Sequence, residues 1–542
     1  MISRPRIAAL ALASAFVSLP LIMLAPVDID RAAGLLFLPA CWLAFGLKDV
    51  ETNRGARQVA MLLAAWFGWA LLSTVCSLHI APALVGLSVT VLALATGTAA
   101  SRIVRAGTDA DLRILLGSLA LSSVVGLGLV LAHLHAPGGG PANVFSHLRL
   151  FGMHQGAGAI VGTAWALLAT GRRERWIAAL MATAAALGMF WAGGRAPILA
   201  AATTGAVWLL IGVTDRTRAA TWWAAVFVTG LGLSTLLPKP AADMGWSRAL
   251  SRTTEADSMS AVTSTRSDFW LVTWRHIQEK PLLGHGAESY RFIRPKQVGE
   301  QPHNIALQVA GDYGLAGAAL LVAAGGIALW SGLLSASAGS RAATCLATGL
   351  LACALFDGVA YHAVTLNAWL MLLGIAMGGG HGRTVPPPEN RLWRPVGLVL
   401  TVLAGAVLIL HGLVFHQLRH GPIPHPNSDK TSLVRMFPTE TRGLQRWIDA
   451  WIAAGLDQAA LEWAVWTQPR ADAAAPFHLI AGNLYVKHNL FAEAETEYRA
   501  ALATTFFTSR PYIQRLLDLS LAAQGKPTTD ATDGTGHAPA VP

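Results

Sequence analysis

The chain has 542 residues, 54% of them hydrophobic and 13% charged, and its mean hydropathy is +0.48. These values exclude an ordinary soluble enzyme, because apolar runs of about 17–20 residues recur and each can cross a bilayer. The net charge of +10 does not argue for nucleic acid, since most Lys and Arg stand in short loops between the runs, where they report topology.

Arg4 and Arg6 precede an apolar run from Ile7 to Ala25. The run is long and more spans follow, so it reads as a first transmembrane helix rather than a signal peptide. Further spans are expected at 32–47, 59–78, 82–100, 114–133, 156–170, 176–192, 196–213, 219–237, 306–334, 342–360, 363–379 and 395–414, about thirteen in all. With a cytoplasmic N-terminus, the inner loops hold Lys48, Arg54, Arg57, Arg102, Arg105, Arg113, Arg172, Arg173, Arg175, Arg216, Arg218, Arg341, Arg383, Arg391 and Arg394. The short outer loops hold only Arg31, Arg149 and Arg195. This alternation follows the positive-inside rule and puts the 238–302 loop, His303 and the C-terminal region on the outer side. Cys41, Cys76, Cys345 and Cys353 fall inside expected spans. They make neither a disulfide framework nor a zinc spacing, so they read as small core residues.

The most polar long segment between spans runs from Thr265 to Gly317. Thr265 and Asp268 form a T-x-x-D capping box, so a helix is expected there with Arg266 in its first turn. An arginine beside a helix N-terminus is a natural phosphate seat. Trp270, Trp274 and Ile277 recur at helical spacing. Pro302 then breaks the chain, and His303-Asn304 open another apolar helix. The dipole at a helix start disfavours imidazolium, and neutral imidazole is what a general base needs.

Pro386-Pro387-Pro388 reads as a stiff linker. Past Phe415 comes an extended connector, then amphipathic helices from about Thr439. Gly482, Tyr485, Ala494, Tyr498 and Ala501 fit tetratricopeptide spacing. Trp447, Trp451, Trp463 and Trp466 fit a degenerate neighbouring repeat. The polar residues after Gly525 have a composition that forms no packed core.

Several of these elements occur together in a known order. Arg266 precedes a helix with Trp270 and Trp274; a P-L-L-G-H-G turn runs from Pro281 to Gly286, with His285 at its variable place; His303-Asn304 starts a helix that reaches Gly314-Leu315-Ala316-Gly317. The set resembles the O-antigen ligase/polymerase superfamily, the WaaL and Wzy type that includes bacterial O-oligosaccharyltransferases. The resemblance implies an all-α, GT-C-like polytopic bundle in the bacterial inner membrane. The expected plan is a transmembrane bundle over 1–237, a periplasmic loop over 238–302, further membrane helices over 303–414, a linker over 415–438, a periplasmic TPR-like domain over 439–525 and a disordered tail over 526–542.

The resemblance further implies transfer of a glycan from an undecaprenyl-diphosphate carrier to an acceptor hydroxyl, with inversion. His303 is the expected base and Arg266 its catalytic partner, with Arg195 and Arg266 on the diphosphate. Arg195 could instead be an interfacial arginine that snorkels to headgroups, but Gly193 and Gly194 beside it allow close approach. Asn304, Arg149, Gln155 and Arg291 are secondary candidates, with Arg294 a solvated charge or phosphate helper. The oligosaccharyltransferase Gln-x-Asn element is only partly matched, since Ala157 stands where its asparagine would be. Asp312 and Asp357 near outer span ends fit a functional pocket and interhelical hydrogen bonding equally well. Lone His133 and His411 read as core. Asp28-Ile29-Asp30 reads as coincidence rather than a metal site, and Asp109-Ala110-Asp111 lies on the inner side. No cofactor or metal is expected, and transfer is expected to survive EDTA. Expected partners are the lipid-linked glycan, a lipid or polysaccharide acceptor with protein as an alternative, membrane lipids and a protein at the TPR-like domain, but no nucleic acid. Polymerase and protein O-oligosaccharyltransferase activities are alternatives within the family. A lipid-linked glycan flippase and a recruiting scaffold are alternatives of other classes, although no internal repeat of transporter type is evident and no P-loop is present.

The topology is testable by cysteine labelling. Ser258→Cys and Ser428→Cys, on a cysteine-free background, should react with a membrane-impermeant reagent added to the periplasm. Labelling only after inner-membrane disruption would overturn the orientation.

Overall fold

A computed structural model describes the chain apart from residues 1, 23–32, 48–51, 135–144, 146–147, 240–243, 255–265, 294–300, 360–361, 380–383, 386–392, 429–430, 432–433, 435–440, 471–473, 505–509 and 529–542. Thr265, the Asp28 and Asp30 pair, Arg294, the triple proline and most of the expected tail therefore lie outside the described residues.

The described chain is almost entirely helical. In order come α1 (Arg4–Ile22), a 3₁₀ turn (Ala33–Phe37) leading into α2 (Leu38–Phe45), α3 (Arg54–Val75), α4 (Ile80–Ala106), α5 (Asp109–Ala132), α6 (Leu148–Leu168), α7 (Arg172–Ala192), α8 (Arg195–Ile211) and α9 (Arg216–Ser234). Then follow α10 (Trp246–Thr254), α11 (Arg266–Glu279), α12 (Ile305–Leu333), α13 (Ala338–Ala354), α14 (Ala363–Gly378) and α15 (Trp393–His420). The chain continues with α16 (Thr441–Ala453), α17 (Asp457–Thr467), α18 (Ala475–Lys487), α19 (Phe491–Thr504) and α20 (Arg510–Ala523). Thr52–Asn53 pairs antiparallel with Thr384–Val385 in a minimal two-residue ladder. The chain divides into two units: Met1–Ala287 with Gln301–Gly412, and Glu288–Glu300 with Leu413–Pro542.

Every expected membrane stretch falls on a helix of the first unit or on α15. Among the described residues, seven helices are long and apolar enough to cross a membrane by length and composition: α1, α3, α4, α5, α7, α12 and α15. The α2 region, α8 and α14 are apolar but shorter. The expected start of one span at 156 differs from α6, which begins at Leu148. Hydropathy stops at His154 and Gln155 because they are polar. The helix continues through them because they are buried and partnered. Ser122 Oγ lies 3.3 Å from His154 Nε2, and Gln155 Nε2 donates to the Ser123 carbonyl at 2.9 Å. Three cysteines are buried and all four are free, but Cys76 lies just beyond α3 and is exposed rather than inside a span.

Small residues set how these helices meet, as expected where lipid gives no hydrophobic drive to association. Along α5 and α6 the neighbours are Gly126 with His154, Gly158 with Ser123, and Gly117 with Trp165, so the pair is antiparallel. Along α6 and α7 they are Gly152 with Ala192, Gly188 with Gln155, and Gly162 with Ala182, again antiparallel. Gly156 abuts Pro197, so α8 begins within about two turns of the start of α6. Gly339 at the start of α13 meets Leu112 at the start of α5. The far end of α13 is therefore at the level of the starts of α6 and α8. This shared end gathers most of the candidate residues.

The second unit holds α16 to α20. Ring contacts run from Trp447 to Trp451, Trp463 and Trp466, with centroids 6.1, 5.6 and 5.2 Å apart. Trp451 Nε1 donates to the Pro424 carbonyl at 2.8 Å. Gly482 of α18 faces the ring of Tyr498 on α19, and Ala494, Tyr498 and Ala501 are fully buried. The Tyr498 hydroxyl donates to Asn483 at 2.8 Å.

The α4–α14 contact sets backbone against backbone and can be tested. A Cβ on Gly374 would run into the Gly97 carbonyl, and Thr96 Oγ1 donates to Asn367 Oδ1 beside it at 2.8 Å. Gly374→Val should destabilise the protein by about 1–3 kcal/mol, as overpacking does. Thermal unfolding in detergent reads this. An unchanged Tm would mean the helices do not meet there.

Candidate active site

Arg266 is the first residue of α11 and His303 lies two residues before α12. Asp357 follows α13 by three residues, in the turn after its C-cap Leu355. These three side chains meet. Arg266 Nη2 is 3.2 Å from Asp357 Oδ2, with 11% and 7% of the side chains exposed. His303 Nδ1 is 3.2 Å from Asp357 Oδ1. The Gly358 N–H donates to the same Oδ1 at 2.9 Å. One buried carboxylate thus receives a guanidinium, an imidazole and a backbone amide.

Burial by itself would raise the Asp357 carboxyl. The His303 hydrogen bond and the charges of Arg266 and His303 outweigh it and hold the group at about 2. Burial and the neighbouring charge of Arg149 push Arg266 down, while Asp357 supports it. Arg149, on the second residue of α6, is therefore an electrostatic neighbour of Arg266. Arg266 Nε is buried without a hydrogen-bond partner, so the guanidinium keeps a donor that Asp357 does not use. With Asp357 ionised, Nδ1 of His303 is the donor in that pair. The lone pair of the neutral ring is then on Nε2.

Three further contacts fix His303. Its backbone is left-handed, with φ 52°. The ring of Phe269 stacks on it with centroids 5.9 Å apart and planes 25° from parallel. Trp270 Nε1 donates to the Pro302 carbonyl at 3.1 Å. Asn304 caps α12, accepting from Leu307 N at 3.0 Å, while its Nδ2 donates to the Leu355 carbonyl at 3.0 Å. The pair His303-Asn304 thus joins α12 to the end of α13.

Arg195 is the first residue of α8. The would-be Cβ of Gly349 on α13 meets Thr204 and the Ala200 carbonyl on α8. Since the two helices run antiparallel, Arg195 lies near the level of Ala354, about 5 Å along the axis from Asp357 at ~1.5 Å per residue. Gln155 is elsewhere, fully buried between α5 and α7, with its Oε1 unpartnered. Arg291 belongs to the second unit, where it is buried and lies 3.2 Å from Glu288. Asp111 is structural: it completes the N-cap of α5 and pairs with Arg6 at 2.8 Å. His133 Nδ1 is held by the Leu129 carbonyl at 2.8 Å.

Residues 158–322 match the family model described as O-Antigen ligase. Over that segment the chain is similar to the O-antigen ligase/polymerase superfamily. The match and the seven long apolar helices agree with a multi-pass membrane protein, and the matching family's members are glycosyltransferase-like enzymes. No curated protein matches the chain. The matched segment includes Arg195, Arg266 and His303, whereas Arg149 precedes it and Asp357 follows it. Sequence reasoning left Asp357 undecided because its partners are about ninety and about fifty residues away. Its only local signal was an acid beside a glycine at a span end.

The ion pair makes a pH prediction. The folded Asp357 carboxyl at about 2 lies below its unfolded value near ~3.9. Its stabilisation is therefore complete above the unfolded value and is lost as pH falls through about 2. Asp357→Asn should cost about 3–5 kcal/mol at neutral pH, because buried Arg266 loses its counter-charge and His303 the carboxylate that accepts its hydrogen bond. The Tm gap to wild type should stay flat above pH ~4 and close below it. A gap that widens on acidification would overturn the pairing.

Proposed function

We propose that this protein transfers a glycan from an undecaprenyl-diphosphate carrier to an acceptor hydroxyl at the periplasmic face of the bacterial inner membrane. The observation that carries the reading is the triad of Arg266, His303 and Asp357 at the helix-start end of the bundle. Its parts match the needs of such a displacement. The leaving group is a dianionic diphosphate and requires fixed positive charge; Arg266 with Arg195 and Arg149 supplies it. The nucleophile is a hydroxyl and requires a base; His303 Nε2 supplies it, with Asp357 holding the ring and stabilising the imidazolium that forms.

In this mechanism the acceptor oxygen attacks the anomeric carbon as its proton passes to Nε2. The bond from that carbon to the diphosphate oxygen breaks, and undecaprenyl diphosphate leaves against the arginines. One displacement inverts the anomeric centre. Guanidinium charge does the work a divalent ion does elsewhere, so the transfer step itself is metal-independent. The helices α16 to α20 would form a TPR-like periplasmic platform for an acceptor or protein partner. Ligase, polymerase and protein O-oligosaccharyltransferase activities share this chemistry and differ only in the acceptor.

Reconstitution with lipid-linked glycan and separate lipid, polysaccharide and protein acceptors tests the reading. His303→Ala should slow transfer by about 10²–10⁴. Arg195→Ala and Arg266→Ala should each cost about 10²–10³, as loss of a charge-stabilising donor does. A well-folded His303→Ala protein that transfers at near-normal rate would sink the assignment.

A further inference from the structure

At the opposite end of α11 from Arg266 stands a second cluster. His276, Glu279 and His285 each offer a ligand atom, and the three atoms lie within 4.8 Å of one another. His276 Nδ1 is 3.5 Å from Glu279 Oε2, and His285 Nε2 is 3.9 Å from that oxygen. A tetrahedral ion with bonds of about 2.0–2.1 Å sets its ligand atoms ~3.4 Å apart, so these separations are close to what an ion needs. The ten residues from Arg266 to His276 span ~15 Å of helix, which separates this cluster from the reacting groups.

The surroundings favour a ligand over a plain histidine stack. His276 Nε2 is buried with no hydrogen-bond partner among the described residues, a costly state for a polar atom. His285 Nε2 donates to the His276 carbonyl at 2.8 Å. An ion bound at this nitrogen displaces that bond, since a ligating nitrogen must be unprotonated. Two features oppose a cation and can be offset. Lys280 acts on both histidines with positive charge, which the Glu279 carboxylate counters. The rings are stacked, 3.6 Å between centroids and 17° from parallel. One ring must turn about its outer torsion to converge, and Glu279, with 67% of its side chain exposed, is free to follow.

We infer that His276, Glu279 and His285 form a binding site for one divalent ion of borderline softness, of the zinc class, that clips α11 to the turn after it. Two imidazoles and one carboxylate suit Zn²⁺ better than Mg²⁺ or Ca²⁺. The clipped turn is the one that grips α12. His285 N and Gly286 N donate to the Gly311 and Asp312 carbonyls at 3.0 and 2.8 Å, and Leu315 N donates back to the Pro281 carbonyl at 2.7 Å. Gly314, with φ 71° and ψ 175°, breaks α12 at this place. An ion here braces the helix that presents Arg266 against the helix that follows His303, without touching substrate.

The test is equilibrium dialysis of the purified full chain in detergent, tag removed, against micromolar Zn²⁺ buffered with competing chelator, with metal counted by mass spectrometry. Wild type should hold one Zn²⁺ per chain and gain thermal stability from it; excess Mg²⁺ should not displace it. His285→Gln and Glu279→Gln should each weaken binding by at least about 10–100-fold, the loss seen when a ligand's own hydrogen-bond partner is removed. Both should abolish the zinc-dependent Tm shift. Glu279 is exposed, so its variant folds even where His285→Gln does not. Wild type that binds no zinc above background overturns the inference. So does stoichiometric binding that both variants retain, which would place the ion at another group of histidines.

Discussion

A carboxylate cannot stay ionised out of water without partners, and Asp357 is 6% exposed. Its counter-charge must come from somewhere, and the fold brings it from two distant segments. Arg266 arrives on the start of α11 and His303 on the approach to α12. The ends of three helices are thereby drawn to one point. Removing Arg266 would leave a buried charge whose desolvation is no longer matched, which costs more than the pair contributes when intact, and removing His303 would take away one of its hydrogen-bond donors. The same constraint sets the chemistry. A histidine held through Nδ1 by a buried carboxylate presents its other nitrogen as a base of fixed direction.

That point exists only because the helices around it approach closely. Glycine and alanine line the crossings of α5 with α6, α6 with α7, and α4 with α14. In α12 the glycine does something different. Gly314 adopts a positive φ, and its carbonyl neighbours are taken up by the Pro281–Gly286 turn. A break in a membrane helix is tolerated when another segment re-satisfies the backbone it frees. The P-L-L-G-H-G turn does so here, and it carries α11 with it. The arginine at one end of α11 and the broken helix that follows His303 are thus mechanically linked.

Much of this was legible in the sequence, and the reasons are local. Long apolar runs are a strong signal, so helices stand at each expected span. The ordered residues from Arg266 to Gly317 carried the resemblance and lie inside the matched segment. What was illegible is what depends on distance along the chain. Asp357 shares no sequence neighbourhood with Arg266 or His303, and a lone acid at a span end has several structural explanations. The early start of α6 was hidden because His154 and Gln155 lower local hydropathy, while their burial against Ser122 and Ser123 is a tertiary fact. His276 read as one residue of a Trp-bearing amphipathic helix and His285 as the variable residue of a turn. Only the fold stacks them.

The backbone of His303 ties geometry to reactivity. A left-handed non-glycine residue costs on the order of 1–3 kcal/mol, at the lower end for histidine, which visits that region more readily than most. Such a conformation persists only where its surroundings over-determine it. Here the restraints fall on three consecutive residues. Trp270 holds the Pro302 carbonyl, Phe269 and Asp357 hold the His303 ring, and Asn304 is held by both Leu307 and Leu355. A helical or extended backbone at residue 303 would swing the ring away from Asp357 while leaving Asn304 capped. The strained conformation is therefore what lets one dipeptide serve two purposes, closing the start of α12 and directing an imidazole across to the end of α13. In the proposed transfer, a base oriented in this way would have its angular freedom removed before substrate arrives. The cost is met by packing and hydrogen bonds rather than by the reaction.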